Sequence, residues 1–344
     1  MNMTNELEKT IAQLAQRGKG ILAADESAGT IGKRLAAVNV ESTEDTRRAY
    51  RDLLITTPNI HEFIAGVILF EETLSQTTLE GIPFPKKLQQ LGILSGIKVD
   101  KGLIPLVNTS DEQVTQGLDG LAERLVEYRA KGASFAKWRA VYSISDKTPS
   151  MLAIKTNAEV LARYAAICQA NGIVPIVEPE VLLDGDHTLE HCADVSERVL
   201  NAVFRALSRH KVKLEYIILK PSMVISGKKC PTQANPEQVA KATMTILKRT
   251  VPAAVPSINF LSGGQSCEQA TANLNAMNAL SPHLPWNVSY SYARALQDYP
   301  MKIWQGNNQN ITSAQAAFYH RAKLNSLAST GKYDISMEKE VSLA

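Results

Sequence analysis

A chain of 344 residues with 44% hydrophobic and 21% charged content has enough apolar material to bury a large core. Its net charge of +3 includes no Lys/Arg block of the kind that tracks a polyanion, so no nucleic-acid partner is expected, while a small anionic ligand is compatible. The longest apolar run, Phe63 to Phe70, is far short of the roughly 20 residues that cross a bilayer, and MNMTNELEKT has neither a secretory nor a transit pattern, so a cytoplasmic protein without a membrane partner is expected.

In chain order, residues 1–17 read as an N-terminal helix outside the repeating pattern. Eight short strand-like runs follow: Gly20 to Ala24, Phe63 to Phe70, Ser95 to Val99, Ala133 to Ala140, Ile173 to Val177, Leu214 to Leu219, Ser257 to Leu261 and Trp286 to Tyr292. Between them lie helix-like stretches at Thr43 to Thr56, Asp111 to Lys131, Ala158 to Ala170, Thr188 to His210, Pro236 to Arg249 and Ser266 to Ala279, and a last one spans Ser313 to Leu327. Alternation repeated eight times predicts an α/β fold with a parallel sheet closed into a (β/α)8 TIM barrel, with a doubly wound open sheet as the rival. No Pro/Gly/Ser linker divides residues 1–344, so a single domain is expected, with a polar, mobile tail over residues 329–344. Cys168, Cys192, Cys230 and Cys267 are widely spaced and form no C-x-x-C pair, which fits a reducing compartment.

Ionisable groups follow the runs: Asp25, Glu71, Asp100, Lys137 with Arg139, Glu178 with Glu180, Lys220, and Arg294, while Ser262-Gly263-Gly264 follows the seventh run. In a barrel the C-terminal strand ends converge on one mouth, which would bring these scattered residues around one pocket. Lys220 closes Ile217-Ile-Leu and precedes Pro221, so it is either a solvated strand-end lysine or a partly desolvated nucleophile beside another cation, Lys137 or Lys98. Glu178 and Glu180 are two apart and share a side of an extended chain; they serve either as a raised-pKa acid for proton transfer or as partners that neutralise Lys137 or Arg139. Ser262-Gly263-Gly264 is a simple turn or, ahead of a predicted helix, a phosphate cradle with Arg294 as countercharge. His187-Thr-Leu-Glu190-His191 matches an H-x-x-E-H zinc pattern, but it sits at a helix start with no third ligand evident among six histidines, so no metal is predicted.

Taken together, the motifs resemble class I fructose-1,6-bisphosphate aldolase, the metal-independent, lysine-dependent family. The likeness rests on Gly18-Lys-Gly-Ile-Leu-Ala-Ala-Asp25-Glu-Ser27, Gly96-Ile-Lys98-Val-Asp100-Lys-Gly, Gln116-Gly-Leu-Asp-Gly120, Phe135-Ala-Lys137-Trp-Arg139, Val177-Glu178-Pro-Glu180, Leu219-Lys220-Pro, Phe260-Leu-Ser262-Gly-Gly-Gln and Tyr292-Ala-Arg294-Ala-Leu-Gln. The resemblance implies reversible cleavage of fructose 1,6-bisphosphate to dihydroxyacetone phosphate and glyceraldehyde 3-phosphate, in glycolysis and gluconeogenesis, with no cofactor. It implies Lys220 as the Schiff-base lysine, Glu178 as the acid for its dehydration, Asp25 as the base for the C4 hydroxyl and Lys137 as support for carbinolamine turnover. It places Ser262, Gly263 and Arg294 at the ketone-side phosphate and Lys98, Ser27 and Thr30 at the other, with Lys33, Arg34, Arg139 and Glu180 as further site residues, in a homotetramer. Two departures stand out: Ala293 replaces a common glycine, and the chain closes Val-Ser-Leu-Ala344 without the terminal tyrosine of many animal members. The alternatives are a Schiff-base aldolase for sedoheptulose bisphosphate or fructose 1-phosphate, and a non-catalytic assembly protein on the same fold.

Overall fold

The computed structural model describes residues 3–281 and 283–340. Eight parallel strands close into a barrel: Gly20–Ala24, Ile64–Leu69, Leu94–Lys98, Ala133–Tyr142, Val174–Val181, Ile218–Leu219, Ser257–Phe260 and Asn287–Tyr292, the last pairing back to the first through Ile21 opposite Ser291. These are the eight runs expected, and the closed sheet removes the open-sheet rival. The sixth is the shortest, because Leu214–Tyr216 forms a 3₁₀ turn and leaves Ile218 and Leu219 as its ladder residues.

Alternation along each strand decides what fills the barrel. Ile21, Ala23, Ile68, Phe135, Val174, Ile176 and Ile218 form one buried apolar cluster with Leu7, Ile11 and Leu14 of the N-terminal helix Met3–Leu14. That helix lies outside the strand ring, and its apolar face plugs one end of it. The Phe135 ring occupies space left by two glycines: a Cβ would stand 3.0 Å from the ring at Gly66 and 2.2 Å at Gly96. A second, larger cluster packs the outer faces of the strands against the surrounding helices.

Five segments differ from expectation. The stretch read as helical from Asp111 to Lys131 instead begins as an antiparallel hairpin, Leu103–Pro105 against Gln113–Thr115, and only Leu121–Ala130 is helical. Left-handed backbone at Gly117 (φ 120°) and Gly120 (φ 64°) prevents a helix from running through. Short helices at Ala28–Ala36, Phe84–Gln90 and Arg294–Trp304 escape the strand-helix count because they lie within connections. After Ser329 the tail, expected to be mobile, packs down as far as Glu338: Tyr333 is buried, its hydroxyl donates to Glu338 at 2.8 Å, and Glu338 pairs with buried Arg321. Residues 341–344 of that expectation lie outside the described residues.

Candidate active site

At one level of the barrel the inward side of the strands changes from apolar to charged. Asp25 lies two residues beyond Ala23, Lys98 beyond Gly96, Lys137 beyond Phe135, Glu178 beyond Ile176 and Lys220 beyond Ile218, so each charge is carried on the same pleat as the apolar layer below it. Register aligns these positions: Lys98 is opposite Lys137, and Arg139 is opposite Glu178. The Lys220 N–H donates to Val177 O at 2.8 Å, which continues the ladder one residue past the strand and holds the lysine at the rim.

Four buried ionic groups form a continuous chain. Lys137 Nζ is 2.6 Å from Asp25 Oδ2 and 3.2 Å from Glu178 Oε2, and Glu178 Oε1 is 3.1 Å from Lys220 Nζ. Lys137 and Lys220 are 4% and 3% exposed, which removes the solvated reading of Lys220. Two cations and two carboxylates make the chain neutral, which is the condition under which buried charges are tolerated. Burial pushes the Asp25 carboxyl up, but Lys137, Lys220 and Lys98 outweigh it and bring it down to about 2. Glu178 follows the same pattern: burial raises it, Lys137, Lys220 and Arg139 lower it further, and the net shift is downward. Of the two sequence readings of Glu178, a raised-pKa acid or an ion-pair partner, the resting site shows the second, an ionised partner of Lys137 and Lys220. Lys137 is disfavoured as a cation by burial, yet Asp25, Glu178 and Asp100 more than compensate and raise it.

The remaining predicted residues lie on other strand ends and on the connections that follow them. Arg139 donates to Glu180 beside Glu178, so this second glutamate does neutralise the arginine. Ser262 lies in a tight turn closed by Gln265 N–H to Ser262 O at 3.0 Å, with Gly263 and Gly264 both left-handed (φ 53° and 87°). A Cβ at Gly264 would stand 3.3 Å from Arg294 Nη2, so the arginine from the start of the last barrel helix lies against this turn. Ser262-Gly263-Gly264 is a turn, as the first of its two sequence readings has it, and the Arg294 guanidinium lies against it.

After the first strand, Ser27 is the N-cap of Ala28–Ala36 and makes no capping bond, and its Oγ is 3.2 Å from Thr30 Oγ1. First-turn amides with no side-chain cap attract anions. Lys98 Nζ is 2.7 Å from Asp100 Oδ1, Lys33 is exposed on the Ala28–Ala36 helix, and Arg34 pairs with Glu26 and with Asp298 at 3.1 Å. Glu26 is absent from the sequence reading of the mouth, and Asp100 is named there without a role. Glu26 also holds Arg51 at 2.7 Å, and its position directly after Asp25 was the available signal.

The zinc-like pattern dissolves into a helix start: Thr188 caps Leu189–Arg209 by accepting from the His191 N–H at 3.2 Å. Among the described residues no cluster of His, Cys, Asp and Glu side chains could hold a metal ion, and no helix is long and apolar enough to cross a membrane. All four cysteines are buried and unpaired.

Comparison with known proteins agrees with this geometry over the full chain. Residues 6–343 match the family "Fructose-bisphosphate aldolase class-I". The non-muscle fructose-bisphosphate aldolase of Lethenteron camtschaticum is 55% identical, covering 96% of this chain and 92% of the relative. A cytosolic fructose-bisphosphate aldolase of Arabidopsis thaliana is 54% identical over 96% of this chain and 84% of its own. Among solved structures, a fructose-bisphosphate aldolase from Plasmodium falciparum superposes with a TM-score of 0.95 at 50% identity, covering 97% of this chain and 96% of that one. The chain belongs to the class I fructose-bisphosphate aldolases, the glycolytic and metal-independent family.

Proposed function

We propose that the cleavage of fructose 1,6-bisphosphate runs through an imine on Lys220, and that the buried chain Asp25–Lys137–Glu178–Lys220 supplies its proton transfers. The observation that carries this reading is Glu178 bridging both lysines within 3.2 Å. One proton passed from the Lys220 ammonium to Glu178 over 3.1 Å yields both species that imine formation needs: a neutral amine and a carboxylic acid. The amine attacks the ketone carbon, Glu178 returns the proton to the carbinolamine hydroxyl, and water leaves. Lys137 stays protonated throughout and offsets the charge that moves between its two carboxylates.

Asp25, held ionised, then takes the proton from the C4 hydroxyl. The C3–C4 bond breaks, C4 becomes the aldehyde of glyceraldehyde 3-phosphate, and the electron pair flows to the iminium nitrogen to give a neutral enamine. Protonation at C3 and hydrolysis release dihydroxyacetone phosphate and restore Lys220. Ser262, Gly263 and Arg294 take the ketone-side phosphate, and Ser27, Thr30 and Lys98, with Lys33 and Arg34 behind them, take the other. Two anchors fix the sugar between Lys220 and Asp25, converting binding energy into orientation. Arg139 and Glu180 position Glu178 from the adjacent register.

Borohydride reduction with dihydroxyacetone phosphate tests the reading: it is expected to inactivate the enzyme and add the triose mass to the Lys220 peptide. Activity retained with Lys220 unmodified would overturn it. Chelators are expected to leave turnover unchanged. We further propose a cytoplasmic homotetramer, supported by the relative named cytosolic and by family likeness; sedimentation equilibrium returning a monomer would remove the second part.

A further inference from the structure

The connection after the sixth barrel strand returns to the mouth at Gly227-Lys228-Lys229, and three backbone hydrogen bonds tie it to the connection after the fifth. The Gly227 N–H donates to His187 O at 2.8 Å, Lys228 N–H to Leu183 O at 3.0 Å and Lys229 N–H to Gly185 O at 2.8 Å. The approach is so close that a Cβ at Gly227 would stand 2.5 Å from Gly185 O. The backbone under Lys228 is thereby fixed, while its side chain remains 44% exposed.

That side chain reaches in two directions. Its Nζ is 3.0 Å from Asp184 Oδ1, a carboxylate that is itself 72% exposed. The same Nζ would be 2.9 Å from a Cβ on Gly264, the atom that would also meet Arg294 Nη2 at 3.3 Å. Two cations therefore converge on one glycine of the Ser262–Gln265 turn. Glu180, whose Oε1 would lie 4.0 Å from a Cβ on Gly263, is already engaged by Arg139. A half-exposed lysine–aspartate pair contributes little in water, whereas a phosphate dianion held against a glycine turn is the stronger partner for a lysine point charge.

We propose that Lys228 is a specificity-determining residue of the ketone-side phosphate site: on substrate binding its ammonium exchanges Asp184 for the sugar phosphate and joins Arg294 there. This rests on the reading of Ser262, Gly263 and Arg294 as that site. Asp184 then acts as a parking place that keeps the lysine extended in the empty enzyme, and the rigid Gly227 backbone sets its reach.

Steady-state kinetics on the full-length enzyme test this with fructose 1,6-bisphosphate as substrate and inorganic phosphate as competitive inhibitor. Lys228→Gln is expected to raise KM and the phosphate inhibition constant about five- to tenfold with kcat nearly unchanged, the size of one charge-assisted contact. Lys228→Arg restores most of the loss, and Asp184→Asn shifts both constants the opposite way, about twofold. A purely structural ion pair would instead make Lys228→Gln and Asp184→Asn alike, lowering melting temperature together and leaving KM in place, which overturns the proposal. Arg294→Ala separates the two layers. If it raises both constants while Lys228→Gln does not, the role of Lys228 alone falls; if neither variant moves them, the phosphate site itself is elsewhere and both readings fall.

Discussion

The two levels of the barrel interior are built from the same strands and the same inward pleat, yet they obey opposite rules. Below, Ile21, Ile68, Phe135, Val174, Ile176 and Ile218 pack with Leu14 of the N-terminal helix, and their value is the apolar surface they remove from water. Above, Asp25, Lys137, Glu178 and Lys220 are also buried and make no such gain; they hold each other's charge in place at a desolvation cost that the apolar level helps to offset. The apolar level serves stability and the charged level is the one to which we assign the chemistry, and two residues of strand separate them.

Breaking each level separately should produce different failures. Lys220→Ala is expected to lower kcat for fructose 1,6-bisphosphate cleavage by on the order of 10⁴-fold or more while the circular dichroism spectrum stays native. A variant that keeps its activity would show that the charged level is not where the reaction occurs. Phe135→Ala, one turn of the pleat lower, is expected to cost about 3–5 kcal/mol in denaturant unfolding by opening a cavity over Gly66 and Gly96. The folded fraction of that variant should still form the borohydride adduct. A loss below about 1 kcal/mol would mean that neighbours collapse into the space and that the apolar level is less tightly specified than its packing suggests.

The smallest effect concerns acid. Because Asp25 is held at about 2 against an ordinary value of 3.8, the folded state binds its proton less readily than the unfolded chain. Its contribution is therefore fully present above about pH 4 and disappears as pH falls through about 2, on the order of 2 kcal/mol in all. Glu178, also shifted downward, adds to the same slope. Asp25→Asn should flatten the dependence of unfolding free energy on pH between these limits. An unchanged slope would place the acid sensitivity outside the charged level.

Much of this arrangement was legible in the sequence because strand alternation and strand-helix order are local properties. Ala23 to Asp25 and Phe135 to Lys137 are two-residue steps that any extended chain places on one side, and a closed parallel sheet brings such ends together. The hairpin at 103–115 was not legible, since glycines at 117 and 120 take left-handed backbone that composition does not announce. Nor was the docking of the tail, where Arg321 and Tyr333 meet Glu338 only after the last helix has packed.

By itself the sequence determined the eight strands, the order of charges along them and the family to which they belong. Only the tertiary structure decided how those charges are partnered: that Glu178 lies between two lysines and stays ionised, that Arg34 turns to Glu26 and Asp298, and that Lys228 stands over Gly264 beside Arg294. The reason is range. Which side of a strand a residue takes is set within two residues, whereas which carboxylate meets which ammonium depends on strand neighbours and loop returns set by the closure of the whole barrel.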